Sequence, residues 1–192
     1  MTNAPKIFET QGCVQLESFL DVDTTRLISR YMENRINRKE WKEAYEGESG
    51  SSKYFYYADP LIESMLVACL PAIEKVTGRE LLPSYTYSRV YQPGEELKPH
   101  VDRPACEISV TVNVANKGGV SPIYMQYGGN APSEHMLNPG DAVVYKGCEA
   151  KHWRTPLQNG QLNVQFMMHY VDKNGPFAAH HLDKRESLGL AR

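Results

Sequence analysis

The sequence has no long apolar run, no paired-cysteine motif and almost no net charge, and each absence removes a class of protein. The longest apolar stretch, around Met65 to Ile73, is too short to cross a bilayer, so no membrane association is expected. Met1 to Ser18 shows no charged flank followed by an apolar core, which argues against a secretion signal and for a cytoplasmic protein. The four cysteines, Cys13, Cys69, Cys106 and Cys148, include no C-x-x-C pair, and they read as reduced thiols rather than a disulfide framework. Twenty-one basic side chains against 23 acidic ones leave a formal charge of −2, too little field to attract a polyanion, so a nucleic-acid partner is not expected.

What is present is an ordinary globular composition, 41% hydrophobic and 23% charged over 192 residues, enough for one packed core and a single domain spanning 1–192. Asp23 is placed to cap a helix from Thr24 to about Ile36, with Leu27, Ile28, Tyr31 and Met32 on one side. The Gly- and Ser-rich segment Glu46 to Lys53 reads as an exposed loop. Asp59 followed by Pro60 opens a second helix that Gly78 ends near Thr77, with a kink expected at Pro71. From Leu81 onward the texture changes to short alternating runs punctuated by Pro-Gly and Gly-Gly. Strands are expected at Thr86 to Tyr91, Glu107 to Val114, Pro122 to Tyr127, Ala142 to Lys146, His152 to Thr155 and Leu162 to Val171. The pattern predicts a mainly β protein with flanking helices (α+β), with a jelly-roll core at 81–172, an N-terminal helical support at 1–80 and a tail at 173–192.

Two His-x-Asp pairs stand out, His100-Val101-Asp102 and His181-Leu182-Asp183. On a strand, residues two apart share a face, so either pair offers an imidazole and a carboxylate to one metal. The second lies in the tail with no later histidine and no strand pattern, and is read as surface. The first ends a strand-turn-strand unit and is followed by His152 at the head of another strand. Two histidines and one carboxylate on a β scaffold match the facial triad of non-haem Fe(II) sites, whereas zinc favours four-coordinate closure with more Cys or His.

The order of the parts strengthens that reading. Arg89-x-Tyr91-x-Pro-Gly94-x-x-Leu97-x-x-His100-x-Asp102, then Asn138-Pro-Gly-Asp-Ala-Val-Val-Tyr145, then His152-x-x-x-Pro156-x-x-x-Gly160, resembles the 2-oxoglutarate/Fe(II)-dependent dioxygenase superfamily, most of all its prolyl-4-hydroxylase-like branch, over roughly Tyr85 to Tyr170. The resemblance implies a cupin-like double-stranded β-helix with His100, Asp102 and His152 as iron ligands. Fe(II), 2-oxoglutarate and O2 are the implied cofactors, with ascorbate left open as an addition, and Tyr91 is implied to bond 2-oxoglutarate. The implied activity is hydroxylation of a C–H bond in a peptidyl residue such as proline, or in a small amino-acid-like substrate, with release of succinate and CO2. The competing reading is a cupin-like metal- or ligand-binding protein without oxygenase activity.

One part of the pattern is missing. Where the family carries an Arg or Lys about ten residues after the distal histidine, this chain has Leu162, flanked by Gln161 and Asn163. A buried dicarboxylate needs a cation, and Arg154 is the first candidate because it shares a strand face with His152. Arg89, on the same face as Tyr91, is the second. Arg103 points away from the Asp102 face and is placed to reach a substrate carboxylate. Tyr57, beside the Gly/Ser loop, is a candidate substrate contact. His169 alternates onto the face of Asn163 and Gln165 and reads as a hydrogen-bonded structural histidine. The substrate and the oligomeric state have no signature.

Overall fold

The structure is a computed structural model that describes residues 3–38 and 54–189. The segment Glu46 to Lys53 lies outside the described residues.

Three α-helices come first, interleaved with two short strands: α1 (Ala4–Gln11), β1 (Cys13–Leu16), α2 (Val22–Asn37), β2 (Tyr54–Tyr57) and α3 (Pro60–Thr77). Strands then dominate: β3 (Leu81–Tyr91), β4 (Leu97–His100), β5 (Ile108–Lys117), β6 (Ile123–Gln126), β7 (Ser133–His135), β8 (Ala142–Lys146), β9 (Lys151–Arg154) and β10 (Leu162–Asp172). A 3-10 segment, Ala178–Lys184, follows β10. The strands form a six-stranded sheet, β1-β8-β5-β10-β3-β2, and a four-stranded sheet, β4-β9-β6-β7, with antiparallel pairs throughout.

Local chemistry accounts for the helix ends. Asp59 caps α3 by accepting hydrogen bonds from the Leu61 and Ile62 amides, Pro60 fills the first turn, and Gly78 ends it at φ 71°. The helix runs unbroken through Pro71. For α2 the cap is Asp21 rather than Asp23: its carboxylate takes both the amide and the hydroxyl of Thr24, at 2.8 and 2.7 Å. The helix α1, which hydropathy alone did not predict, is short but buries Phe8 completely.

The larger sheet has two chemically opposite faces. Residues directly paired across antiparallel strands share a face, so Phe166, Val112 and Ser88 line up on one side, and Gln165, Asn113 and Arg89 on the other. The first side, with Val110, Val144, Met168 and Tyr170, packs against Phe8, Ile28, Met32, Ile62, Leu66 and Ile73 of the helices as the main apolar core. Each such side chain, fully buried, contributes about 1.5–3 kcal/mol. The second side is polar, with Ser109, Thr111, Asn113, Asn163, Gln165 and His169 all buried. It faces the smaller sheet: Arg154 of β9 reaches Gln165 of β10, and Tyr145 of β8 lies against His152 of β9. The larger apolar cluster therefore lies outside the barrel, and the interior combines these polar groups with a smaller apolar cluster of Cys13, Ile123, Met125, Leu137, Val143 and Tyr145.

Candidate metal centre

His100 and His152 are direct partners across the β4–β9 pair, and Asp102 follows β4 by two residues, its amide tied to the Gly147 carbonyl at 2.8 Å. The three side chains converge: Asp102 Oδ1 lies 3.6 Å from His100 Nε2 and 3.5 Å from His152 Nε2. The expectation that these residues meet is a matter of register, because β9 pairs β4 on one edge and β6 on the other.

The tautomers decide what this cluster can do. His100 Nδ1 sits 2.8 Å from the Lys98 carbonyl, and His152 Nδ1 sits 3.0 Å from the Ala150 carbonyl. A carbonyl only accepts, so each Nδ1 donates and each neutral ring presents a bare Nε2 lone pair. Two such lone pairs and a carboxylate oxygen then face one another at separations beyond hydrogen-bond range. That is a set of donors for a cation. Burial works to raise the Asp102 pKa, but hydrogen bonding and charge from the imidazoles in their protonated form override it and hold the carboxyl well below its usual range. Asp102 is therefore the anionic ligand such a metal requires. His100 is raised from the ordinary imidazole value: burial opposes the shift, and the Asp102 carboxylate and the Lys98 carbonyl outweigh it.

Arg154 lies two residues beyond His152 on β9 and is 2% exposed. Its guanidinium donates to the Ser121 carbonyl at 2.6 Å and to Gln165 Oε1 at 2.7 Å, while its Nε is buried without a partner. Among the described residues no carboxylate pairs with it, and burial lowers its pKa from the ordinary value. Arg89 is also buried, and both guanidinium groups approach the Tyr91 ring, at 4.6 Å for Arg89 and 5.7 Å for Arg154. Two cations against one phenol ring, inside a polar barrel, fit an anionic ligand next to the metal cluster. Leu162 joins the partly buried apolar layer against the helices, while its neighbour Asn163 faces the interior and donates to Asn113 and Asn116 at 2.9 and 2.8 Å.

Solved structures share this architecture. A Pseudomonas putida prolyl-4-hydroxylase superposes with a TM-score of 0.72 at 15% identity, covering 89% of this chain and 98% of that one. The non-haem α-ketoglutarate-dependent epimerase SnoN from nogalamycin biosynthesis gives 0.77 at 12% identity, covering 99% and 91%. An oxidoreductase of the 2OG-Fe(II) oxygenase family from Burkholderia pseudomallei gives 0.69 at 14% identity, covering 91% of each chain. This chain has the 2-oxoglutarate/Fe(II) oxygenase fold. No protein-family model matches the chain, and no curated protein does. On this oxygenase fold the His100, Asp102 and His152 cluster is a candidate metal site whose donor set fits Fe(II).

Two expectations about the surface change. Asp183, read as a surface residue, is 1% exposed, and its carboxylate takes the Arg103 guanidinium at 2.6 and 2.9 Å and the Tyr57 hydroxyl at 2.6 Å. Leu182, Asp183 and Lys184 all take left-handed φ values (54°, 51° and 61°), a strain on the order of 1–3 kcal/mol each that these bonds help offset. The guanidinium of Arg103, expected to reach for a substrate carboxylate, is thus held by a carboxylate of the chain itself, and Tyr57 shares it.

Ser109 and His169 enter the site without any sequence motif for it. The Ser109 hydroxyl lies 2.8 Å from Asp102 Oδ2 and 2.9 Å from His169 Nδ1. Burial lowers the His169 pKa to about 4, which keeps the ring neutral near pH 7. The only sequence signal was that His169 shares a face with Asn163 and Gln165.

Proposed function

We propose that the chain is a non-haem Fe(II), 2-oxoglutarate-dependent dioxygenase that hydroxylates a C–H bond of a peptidyl residue such as proline, or of a small amino-acid-like substrate. The observation that carries this reading is the convergence of His100 Nε2, His152 Nε2 and Asp102 Oδ1 on one point of the oxygenase fold. His100, Asp102 and His152 would hold the metal on one side and leave its other positions open. Bound Fe(II) with 2-oxoglutarate supplies the oxidising power, with O2 consumed, 2-oxoglutarate converted to succinate and CO2, and substrate C–H converted to C–OH.

The residues of the chain bind, orient and shield. Arg154, with Arg89 and Tyr91, would take the far carboxylate of 2-oxoglutarate, the role that Leu162 leaves open. The buried guanidinium with an orphaned Nε and no acidic partner among the described residues supports Arg154. Tyr145 packs on the His152 ring at 4.8 Å and shields that side of the site from water. A substrate contact by Arg103 or Tyr57 requires their bonds to Asp183 to open. A peptide substrate draws support from a similar solved structure, a Trichoplax adhaerens prolyl hydroxylase in complex with a hypoxia inducible factor peptide fragment (TM-score 0.72, 10% identity). A small-molecule substrate draws support from SnoN, and nucleic acid from none of these. The four free thiols suit a reducing, cytoplasmic setting. No helix among the described residues is long and apolar enough to cross a membrane.

The test is succinate formation by the purified chain with Fe(II), ascorbate and 2-oxoglutarate, in air and under nitrogen, across a panel of proline-containing peptides and free amino acids. Oxygen-dependent succinate coupled to a hydroxylated product supports the proposal. Metal retention with no oxygen-dependent succinate on any substrate replaces it with the cupin-like binding protein.

A further inference from the structure

We propose that Ser109 and His169 are positioning residues for the metal-binding carboxylate, forming a two-step hydrogen-bond relay that fixes which oxygen Asp102 turns toward the metal. The proposal rests on the Fe(II) reading above and deepens it.

The two oxygens of Asp102 have separate environments. Oδ1 faces His100 Nε2 and His152 Nε2, and Oδ2 faces Ser109 Oγ at 2.8 Å. An ionised carboxylate only accepts, so the single Ser109 proton is directed at Oδ2, and the Cys106 carbonyl at 3.2 Å is the weaker claimant. The Ser109 oxygen is then left as an acceptor, and the group facing it is His169 Nδ1 at 2.9 Å, which must carry a proton. The direction of the relay follows: His169 Nδ1–H to Ser109 Oγ–H to Asp102 Oδ2. Without it the carboxylate torsion is broad and two-fold, and nothing distinguishes its oxygens.

The relay is built on rigid parts. His169 and Ser109 are direct partners in the β10–β5 pair at the centre of the larger sheet, and both are buried. The His169 ring packs at a tilt against Tyr85, their centroids 4.5 Å apart, and the Tyr85 hydroxyl lies 3.0 Å from Cys106 Sγ. Gly147 closes the other side: a Cβ there would come within 2.7 Å of Asp102 Oδ2 and 2.8 Å of Ser109 Oγ. Asp102, Cys106 and His169 also lie close enough together to hold an ion themselves. The Ser109 hydroxyl, bonded to both Asp102 and His169, argues instead that this second cluster is the support of the first.

Cobalt(II) titration of the metal-free protein, followed by its visible d–d absorption, tests the relay without turnover. Ser109→Ala is expected to bind cobalt about 10- to 100-fold more weakly than the parent, the usual cost of losing a partner of a metal ligand. His169→Leu should weaken binding in the same direction, and His169→Asn should recover much of it, since an amide N–H can take the place of the imidazole Nδ1–H. The melting curve of each metal-free variant checks its fold, and if Ser109→Ala does not fold the His169 pair decides. Equal affinity in Ser109→Ala or His169→Leu and the parent overturns the relay while leaving the Fe(II) proposal standing. A thiolate-to-cobalt charge-transfer band in the near ultraviolet places the metal at Cys106 and also overturns it. A parent chain that binds no cobalt overturns both proposals.

Discussion

His152 lies directly opposite His100 in the β4–β9 register, their ring centroids 4.3 Å apart, although four other strands separate them along the chain. Each ring is tethered by its Nδ1 to a carbonyl two residues earlier in the chain. The same short-range device therefore aims both Nε2 atoms at Asp102, so the chain itself orients the candidate donors.

His100→Ala and Asp102→Ala are each expected to remove Fe(II)-dependent conversion of 2-oxoglutarate to succinate. Loss of a mere supporting partner costs about 10- to 100-fold, so loss of a ligand should exceed that range. Succinate quantified at saturating Fe(II) checks this. Turnover at the parent rate in either variant removes the proposed mechanism.

Arg154→Ala should raise the apparent 2-oxoglutarate constant far more than Arg89→Ala does. One charge-assisted hydrogen bond lost is worth about 1.5–3 kcal/mol, roughly 10- to 100-fold in binding. The alanine also strands Ser121 O and Gln165 Oε1, so Arg154→Lys, which keeps the charge and loses the fork, should fall between the two. Steady-state kinetics with 2-oxoglutarate varied decides the order, and the reverse order hands the role to Arg89.

At Gly147 a side chain has no room: an added Cβ would meet the Cys106 carbonyl at 2.0 Å. Gly147→Ala should therefore lower the melting temperature, since overpacking costs about 1–3 kcal/mol and each kcal/mol is worth about 2–4 °C in a domain of this size. Gly129→Ala, where a Cβ meets nothing within 4 Å, is the control and should melt with the parent. A parent-like Gly147→Ala would mean the backbone yields there.

Acid should destabilise the metal-free protein through His169. Burial is the largest cause and, with the Arg103 charge and His152 when protonated, outweighs the opposing Asp102 and Asp183 carboxylates and lowers its folded pKa to about 4. The unfolded chain takes up this proton near the ordinary value of ~6.5. Between those values the unfolded state binds more protons, so the His169 contribution is present above about pH 6.5 and is lost as pH falls toward 4. Melting temperatures across that window should decline less steeply in His169→Asn than in the parent. Parallel profiles would assign the acid sensitivity to other groups, such as the half-buried His135.

The sequence by itself determined what local rules govern. Period-two spacing put His100 and Asp102 on one face, and it put Arg154 on the face of His152. Alternation from Leu81 onward marked the β core, whose Ala142–Lys146 strand falls where expected. Asp59, Pro60 and Gly78 delimited the long helix before any contact was known. The strand β7 is only three residues long and held by its partner, so its own residues carried too little pattern to announce it. Tertiary structure alone decided the rest. Asp183 looked solvated until folding delivered Arg103 to it from 80 positions away, and Ser109 and His169 met across 60. A hydrogen bond between strands depends on register and on which face is buried, and neither is written in the residues that make the bond.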